Sequence, residues 1–417
     1  MSASSEALPV EVQDGTVASD PSASLPSAFA GPRPAEFQRS LSSRYTDNFM
    51  NTFGPPQLAL VKGEGVYVWD DSGKKYMDLL AGIAVNALGQ AHPAIVDAVT
   101  KQASELGHIS NFFTSPAQVA LGEKLQQIFA ESGYEDPIKV FLTNSGTEAN
   151  EAALKLTRLH KPGGRVLALT HSFHGRTMGA LSVTEKPTIR EPFEPLPGNV
   201  QFVEPTAEAL SEAFDDDVAG IFVEPIQGEA GVVPLPDGIL QTIRGLCNKH
   251  DALLVVDEVQ TGIGRTGRWL ASQGVQADVV TLAKGFGGGF PIGACIGVGA
   301  AGAIFNPGSH GSTFAGNPVG SAASLATLNE VEKLLVPVVE TGNWLRRQLE
   351  TAGYVVRGEG LLLGIEVLDA PTLQRELLDA GFIVNAPNAT TIRVAPPLVI
   401  TKEELTPFVD YMSRCLG

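Results

Sequence analysis

The feature that most constrains this chain is a series of short, β-branched apolar runs that alternate with helical periods. Val140-Phe141-Leu142, Val166-Leu167-Ala168-Leu169, Ile221-Phe222-Val223, Leu253-Leu254-Val255-Val256 and Val279-Val280-Thr281-Leu282 offer no polar face to water. Between some of them, Ala149, Ala152, Ala153, Leu156 and Leu159, and again Ile239, Leu240, Ile243, Leu246 and Cys247, fall on one side of a helix. A strand that is apolar on both faces has to be covered twice, and helical crossovers do this best for strands running the same way. The expected fold is therefore α/β, with a large domain built on a mostly parallel sheet covered by helices.

Length and texture suggest how the rest is arranged. A chain of 417 residues predicts two or three domains. Val66-Tyr67-Val68-Trp69, the turn signal Asp70-Asp71-Ser72-Gly73 and Lys75 to Asp78 read as a hairpin. After about residue 330 the pattern changes to a helix, short strands near Leu361 to Val367 and at Arg393-Val394, and a closing helix from Lys402. The expected division is a disordered or loosely packed arm over 1–40, a large domain over 96–325, and a smaller α+β domain assembled from 41–95 and 326–417. There is no internal repeat.

The charge balance excludes some functions. Lys plus Arg is 29 and Asp plus Glu is 46, a formal net charge of −17 with no basic run, which disfavours nucleic acid and anionic membrane surfaces. No apolar run approaches the roughly 18 residues of a membrane helix. Cys247, Cys295 and Cys415 are far apart and lack metal-ligand spacing, so reduced thiols in a cytoplasmic protein are expected, with no metal site. The first 40 residues carry Glu6, Glu11, Asp14 and Asp20 before any Arg or Lys, unlike a secretory or transit segment.

Ligands of open α/β sheets sit at the carboxyl ends of the strands, and four strand ends carry suitable chemistry. Asn144-Ser145-Gly146-Thr147-Glu148 joins a strand to a helix; it can be a simple helix cap, or a phosphate cradle of free N–H groups. Asp257-Glu258-Val259-Gln260 places acids at the end of a buried strand; there they can cap a helix, hold a metal or face a protonated ring nitrogen. Lys284 closes an apolar strand before Gly285-Phe286-Gly287-Gly288-Gly289. It either snorkels to water or is poorly solvated and nucleophilic, with the glycines leaving room for a ligand. His171-Ser172-Phe173-His174-Gly175-Arg176 offers a ring to stack and a guanidinium for a carboxylate, with His174 read as a structural histidine. Neither GxGxxG nor GxxxxGK[ST] stands at the Asn144 to Glu148 junction, where a nucleotide fingerprint would be expected, which argues against nucleotide-binding oxidoreductases. A phosphate cradle, a stacking ring, an acid and a desolvated lysine together describe pyridoxal 5′-phosphate.

At these residues the sequence resembles the class III aminotransferases of pyridoxal-phosphate fold type I, most closely the branch acting on N2-acetylornithine. The resemblance runs from about Tyr45 to the C-terminus. It rests on Gly82-Ile83-Ala84-Val85-Asn86, Asn144 to Glu151, Phe173 to Arg176, Glu224-Pro225-Ile226-Gln227-Gly228-Glu229, Asp257 to Gln260, Lys284, and Gly311-Ser312-Thr313-Phe314-Ala315-Gly316-Asn317-Pro318. Gln90 departs from the histidine common in the family. The resemblance implies that Lys284 forms the Schiff base and carries the proton, Asp257 holds the pyridine nitrogen, Gln260 bonds the ring hydroxyl and Phe173 covers one face. It further implies that Gly146 and Thr147 bind the phosphate with Thr313 of a second subunit, and hence a homodimer with shared active sites. Arg176, with Ser312 nearby, would take the donor's α-carboxylate. Arg393 would take that of glutamate or 2-oxoglutarate, with Glu229 as its gate.

Substrate choice turns on one residue. The ornithine δ-aminotransferases carry a tyrosine where Ile83 stands, and its hydroxyl can bond a free α-amino group. Isoleucine cannot, which favours N-acetylornithine as amino donor in arginine biosynthesis. Ornithine, succinylornithine and 4-aminobutyrate transamination remain the alternatives within the family, and a non-catalytic binder of the cofactor the alternative outside it.

Overall fold

The computed structural model describes residues 40–415, so the disordered or loosely packed arm expected over 1–40 lies almost wholly outside the described residues. The chain separates into two units that divide between Ala59 and Leu60. In the first, helix α1 (Leu41–Asn48) is capped by Ser40, whose hydroxyl accepts from Ser43 N, and Tyr45 stacks on Phe49. The second unit, from Leu60 onward, holds every sheet among the described residues.

Strands β2 (Tyr67–Asp70) and β3 (Lys75–Asp78) form the predicted hairpin, and β1 (Leu60–Glu64), which was not expected, pairs antiparallel with β2. Its turn is set by Asp70, whose Oδ1 accepts from Ser72 N and Lys74 N, both at 2.9 Å. Helix α2 (Ala81–Ala84) follows, with Ala81, Gly82, Ile83 and Ala84 all at positive φ. Helices α3 (Pro93–Glu105) and α4 (Pro116–Glu131) come next, the latter opened by a capping box between Ser115 and Gln118.

The large sheet contains β4 (Ile138–Thr143), β5 (Arg165–Leu169), β6 (Val200–Val203) and β7 (Val218–Val223). A small ribbon, β8 (Ile226–Gln227) with β9 (Val233–Pro234), precedes its remaining strands β10 (Leu253–Asp257), β11 (Val279–Leu282) and β12 (Gly293–Val298). The order is β4-β12-β11-β10-β7-β5-β6, with seven strands. The five predicted runs are all there. The sequence reading missed two strands, β6 and β12, and β12 runs antiparallel to both its neighbours. Gly293-Ala294-Cys295-Ile296-Gly297-Val298 gave little strand signal because its glycines admit close neighbours: a Cβ at Gly297 would sit 2.7 Å from Gly302 backbone. Helix α5 (Gly146–His160) buries Ala149, Ala152, Ala153 and Leu156 on the side its period predicted, whereas Leu159, expected on the same side, is 48% exposed.

A further sheet is built from β13 (Val356–Glu359), β14 (Leu362–Glu366), β16 (Asn385–Asn388) and β17 (Thr391–Val394). Between its strands, β15 (Phe382–Ile383) leaves to pair in parallel with β3, so segments 300 residues apart in sequence share one sheet. No helix among the described residues is long and apolar enough to cross a membrane.

Candidate active site

Five strands, β4, β5, β7, β10 and β11, end on the same edge of the large sheet, and the residues just beyond them line a cavity of about 400 Å³. A larger hollow, about 910 Å³, lies at the opposite edge against Leu253, Asp278 and Val298 and touches none of the residues below.

Asp257 stands opposite Thr281 in the β10–β11 register, so Lys284, three residues beyond, opens into the same cavity. Lys284 adopts a left-handed φ of 47° at the start of a short helical turn, a conformation that a non-glycine residue holds only under constraint. Burial first, and the Arg393 guanidinium second, push the Lys284 ammonium below its ordinary range, against the charges of Asp257, Glu229 and Glu224. By exposure Lys284 is half-buried, and its side chain lines the cavity.

The glycines after Lys284 do something other than expected. A Cβ at Gly287 would meet Ile292, and one at Gly288 would meet Ile95 and Thr327, so both pack against protein. Only Gly289, facing Asn86, borders the cavity.

Asp257 is buried and accepts three hydrogen bonds. His174 Nδ1 lies 2.8 Å from Oδ2, Asn150 Nδ2 donates to the same oxygen at 2.7 Å, and Val259 N donates to Oδ1 at 2.9 Å. Neither His174 nor Asn150 was assigned a role from sequence. Asn150 follows Gly146 by four residues on the buried face of α5, a spacing that could have flagged it.

The start of α5 sits beside these groups. Ser145 Oγ accepts from Glu148 N, confirming the cap, and Gly146 and Thr147 line the cavity directly after it. A Cβ at Gly146 would stand 2.7 Å from Val259 Cγ1, and one at Gly175 would overlap the Thr147 hydroxyl. Thr147 Oγ1 also accepts from Arg176 N at 3.1 Å and Thr177 N at 3.2 Å, which ties the loop after β5 to the helix start. Phe173 borders the cavity with the Arg176 guanidinium 5.9 Å from its ring centre. Ser312 Oγ accepts from Asn144 Nδ2 at 3.0 Å. Thr313 is exposed and is not part of the cavity lining.

Two more acids face inward. Glu224, just past β7, accepts from Phe173 N at 2.9 Å, and burial pushes its carboxyl up to about 7. Sequence reading gave it no role, although it ends a buried strand as Asp257 does. Glu229 Oε1 is 2.6 Å from Arg393 Nη1; burial would raise its carboxyl, but the charge and hydrogen bond of Arg393 outweigh it and hold it low. Arg393 is fully buried on β17, donates to Asn385 Oδ1 at 2.9 Å and Gln260 Oε1 at 3.2 Å, and leaves Nη2 without a partner among the described residues. The structure thus brings together Gly146, Thr147, Phe173, Arg176, Glu229, Asp257, Gln260 and Lys284 around one cavity, with Arg393 behind Glu229.

That arrangement agrees with the comparison to known proteins. The family model described as Aminotransferase class-III matches residues 50–416. The chain belongs to this family. It is accordingly a pyridoxal-phosphate-dependent aminotransferase by class. The chain is 49% identical over 384 residues to the acetylornithine aminotransferase of Corynebacterium efficiens, covering 88% of this chain and 94% of that one. It is 48% identical over 389 residues to the acetylornithine aminotransferase of Mycolicibacterium smegmatis, covering 90% and 98%. Among solved structures, the ornithine aminotransferase of Toxoplasma gondii ME49 superposes with a TM-score of 0.84 at 32% identity, covering 90% and 93% of the two chains. The N-acetylornithine aminotransferase of Stenotrophomonas maltophilia K279a does so with a TM-score of 0.76 at 32% identity, covering 90% and 98%.

Proposed function

We propose that this chain moves the terminal amino group of N2-acetyl-L-ornithine to 2-oxoglutarate, giving N-acetyl-L-glutamate 5-semialdehyde and L-glutamate in arginine biosynthesis. The observation that carries the reaction type is the pairing of β10 with β11, which sets half-buried Lys284 and buried Asp257 into one cavity. The donor rests on the shared name of the similar relatives and on Ile83, two residues before the cavity-lining Val85 and without a hydroxyl for a free α-amino group.

The residues present fit pyridoxal 5′-phosphate. Gly146 and Thr147 at the helix start suit its phosphate, Phe173 its ring face, Gln260 its ring hydroxyl and Asp257 a protonated ring nitrogen. Gly146 and Gly175 cannot carry a Cβ without striking Val259 and Thr147, as a closely fitted cradle requires. When bound, the cofactor supplies an aldehyde that bonds an amine and a ring that withdraws electrons from the adjacent carbon.

The side chains do the rest. Lys284 Nζ, its proton made easier to lose by burial, would hold the cofactor at its aldehyde and, once freed by the incoming amine, would move a proton at the substrate carbon. Arg176, with Ser312 nearby, holds the donor's carboxylate. Arg393 is neutralised by Glu229 while the amine donor is bound. When Glu229 turns away, Nη1 and the unpartnered Nη2 form a two-pronged site for the α-carboxylate of 2-oxoglutarate. One pocket thereby serves two substrates of different charge.

The working unit is a homodimer with shared sites, in which Thr313 serves the partner's phosphate. Thr313 is exposed and outside its own chain's cavity. Beside it, Phe112, Phe113 and Phe314 stand 92%, 70% and 60% exposed on loops joined by the Asn111–Ser312 hydrogen bond, an apolar surface that needs a cover. Cys247 and Cys295 are free and buried and Cys415 is free and exposed, which suits the cytoplasm. The proposal keeps a smaller domain as well, for which, from Leu60 onward, the pairing of β3 with β15 speaks.

An absorbance spectrum tests the proposal. Addition of N-acetylornithine abolishes the long-wavelength cofactor band, and 2-oxoglutarate restores it. A band that ignores N-acetylornithine and answers to free ornithine or 4-aminobutyrate overturns the substrate, and a protein that binds no cofactor overturns the site.

A further inference from the structure

His174 is buried, lies outside every role assigned above, and is held on all sides. Its backbone N donates to Thr184 Oγ1 at 2.9 Å, its carbonyl accepts from Asn150 Nδ2 at 2.7 Å, and its ring meets Phe222 edge-on with centres 5.6 Å apart. The ring nitrogen Nδ1 faces Asp257 Oδ2 at 2.8 Å, while Nε2 is buried with no partner among the described residues. Two acceptors cannot bond each other, so Nδ1 carries the proton and donates. A histidine that only filled space would not turn its one satisfied nitrogen onto a buried acid of the cavity and strand the other.

The contact belongs to a larger clamp. Asn150 donates to the same Oδ2, and its own amide cannot flip because Thr281 Oγ1 donates to Asn150 Oδ1 at 2.9 Å. Val259 N takes Oδ1. A carboxylate has about four acceptor positions; three are filled by protein donors, which leaves one for a group in the cavity. Removing the Nδ1 donor would free Oδ2 to rotate toward that group or away from it.

We infer that His174 is a positioning residue for the proposed cofactor: with Asn150 it fixes the Asp257 carboxylate so that its remaining acceptor position meets the ring nitrogen. This rests on the cofactor reading given above and assigns His174 no contact with substrate. Asp257 and Glu224 are the charged groups that act on it. Burial alone would push its imidazole down, but the hydrogen bond and charge of Asp257, with the charge of Glu224, outweigh this and hold it above its ordinary range. A ring that donates from Nδ1 is what the clamp needs.

The test is the affinity of cofactor-free protein for pyridoxal 5′-phosphate, read by fluorescence titration, with the pH at which the bound cofactor band shifts as a second readout. In His174→Asn the amide nitrogen stands on the same carbon as Nδ1 and keeps the donor; in His174→Leu it is gone. A hydrogen bond to a charged group contributes about 1.5–3 kcal/mol, so H174L should weaken binding roughly 10- to 100-fold and displace the band shift. H174N should bind within about threefold of the parent. In an Asp257→Ala background, H174L should have no further effect, because its action runs through that carboxylate.

Equal binding by H174L and the parent, or an undiminished effect of H174L without Asp257, overturns the inference and leaves the cofactor site intact. Should H174L not fold, as judged by circular dichroism, His174→Gln replaces it: its amide reaches one methylene too far, and binding as tight as H174N again overturns the inference. A parent chain that binds no pyridoxal 5′-phosphate overturns both readings together.

Discussion

The Arg393 guanidinium, fully buried on β17, lies 2.6 Å from Glu229 Oε1 in the segment after β7. An arginine buried this deeply is tolerated because it is paired, and Nη2 is left over for a second acceptor. Arg393→Lys keeps the charge and removes the fork. We expect KM for 2-oxoglutarate to rise about 10- to 100-fold, while cofactor loss of absorbance on adding the amine donor persists. Steady-state and half-reaction kinetics on the same preparation check this; a change in the donor half-reaction alone would be inconsistent with it.

Glu224 ties the ligand-free protein's stability to pH. Its carboxyl is pushed up to about 7, against about 4.3 in the unfolded chain. Between these values the folded state holds a proton that the unfolded state has lost. Stability from this group therefore falls as pH rises across that window and is level above it. Glu224→Gln keeps an acceptor for Phe173 N and cannot titrate. Its unfolding free energy should gain on the parent from pH 4.5 to 7, reaching about 2–4 kcal/mol. Denaturant titrations at stepped pH measure it, and parallel curves for the two proteins would contradict it.

Gly146 leaves no room for a methyl group. A Cβ there would come 2.7 Å from Val259 Cγ1, and the strain of such an insertion costs about 1–3 kcal/mol. Gly146→Ala should lower affinity for pyridoxal 5′-phosphate about tenfold. Adding Val259→Ala opens the space and should recover most of the loss. Titration of the single and double variants decides between steric blocking and an unrelated effect, since the latter would not be rescued.

Ile83 offers a test of the donor. It sits at φ 65° in the turn before Val85, where a β-branched residue is an outlier. Ile83→Tyr supplies a hydroxyl for a free α-amino group. The ratio of kcat/KM for ornithine to that for N-acetylornithine should rise at least tenfold, about the value of one satisfied hydrogen bond. An unchanged ratio would remove Ile83 from the account of specificity.

The sequence by itself determined the layout. Strands that are apolar on both faces and helices with one apolar stripe are local patterns, and they located five of the seven strands and the residues at their ends. Because ligands of such sheets lie at carboxyl ends, Asp257, Lys284, Gly146 and Phe173 were legible as candidates from position alone. What failed locally failed for physical reasons. β12 is made of small residues under α5, and the glycines after Lys284 serve packing against Ile292, Ile95 and Thr327 more than ligand space.

Only the tertiary structure decided who meets whom. His174 and Asn150 reach Asp257 across 83 and 107 positions, and Glu229 reaches Arg393 across 164. Hydrophobic period fixes which face of an element is buried, but the order in which strands join fixes the neighbours of each buried polar group. A buried acid is stable only with donors, so the fold had to supply them, and it took them from segments whose own sequence marked them as ordinary.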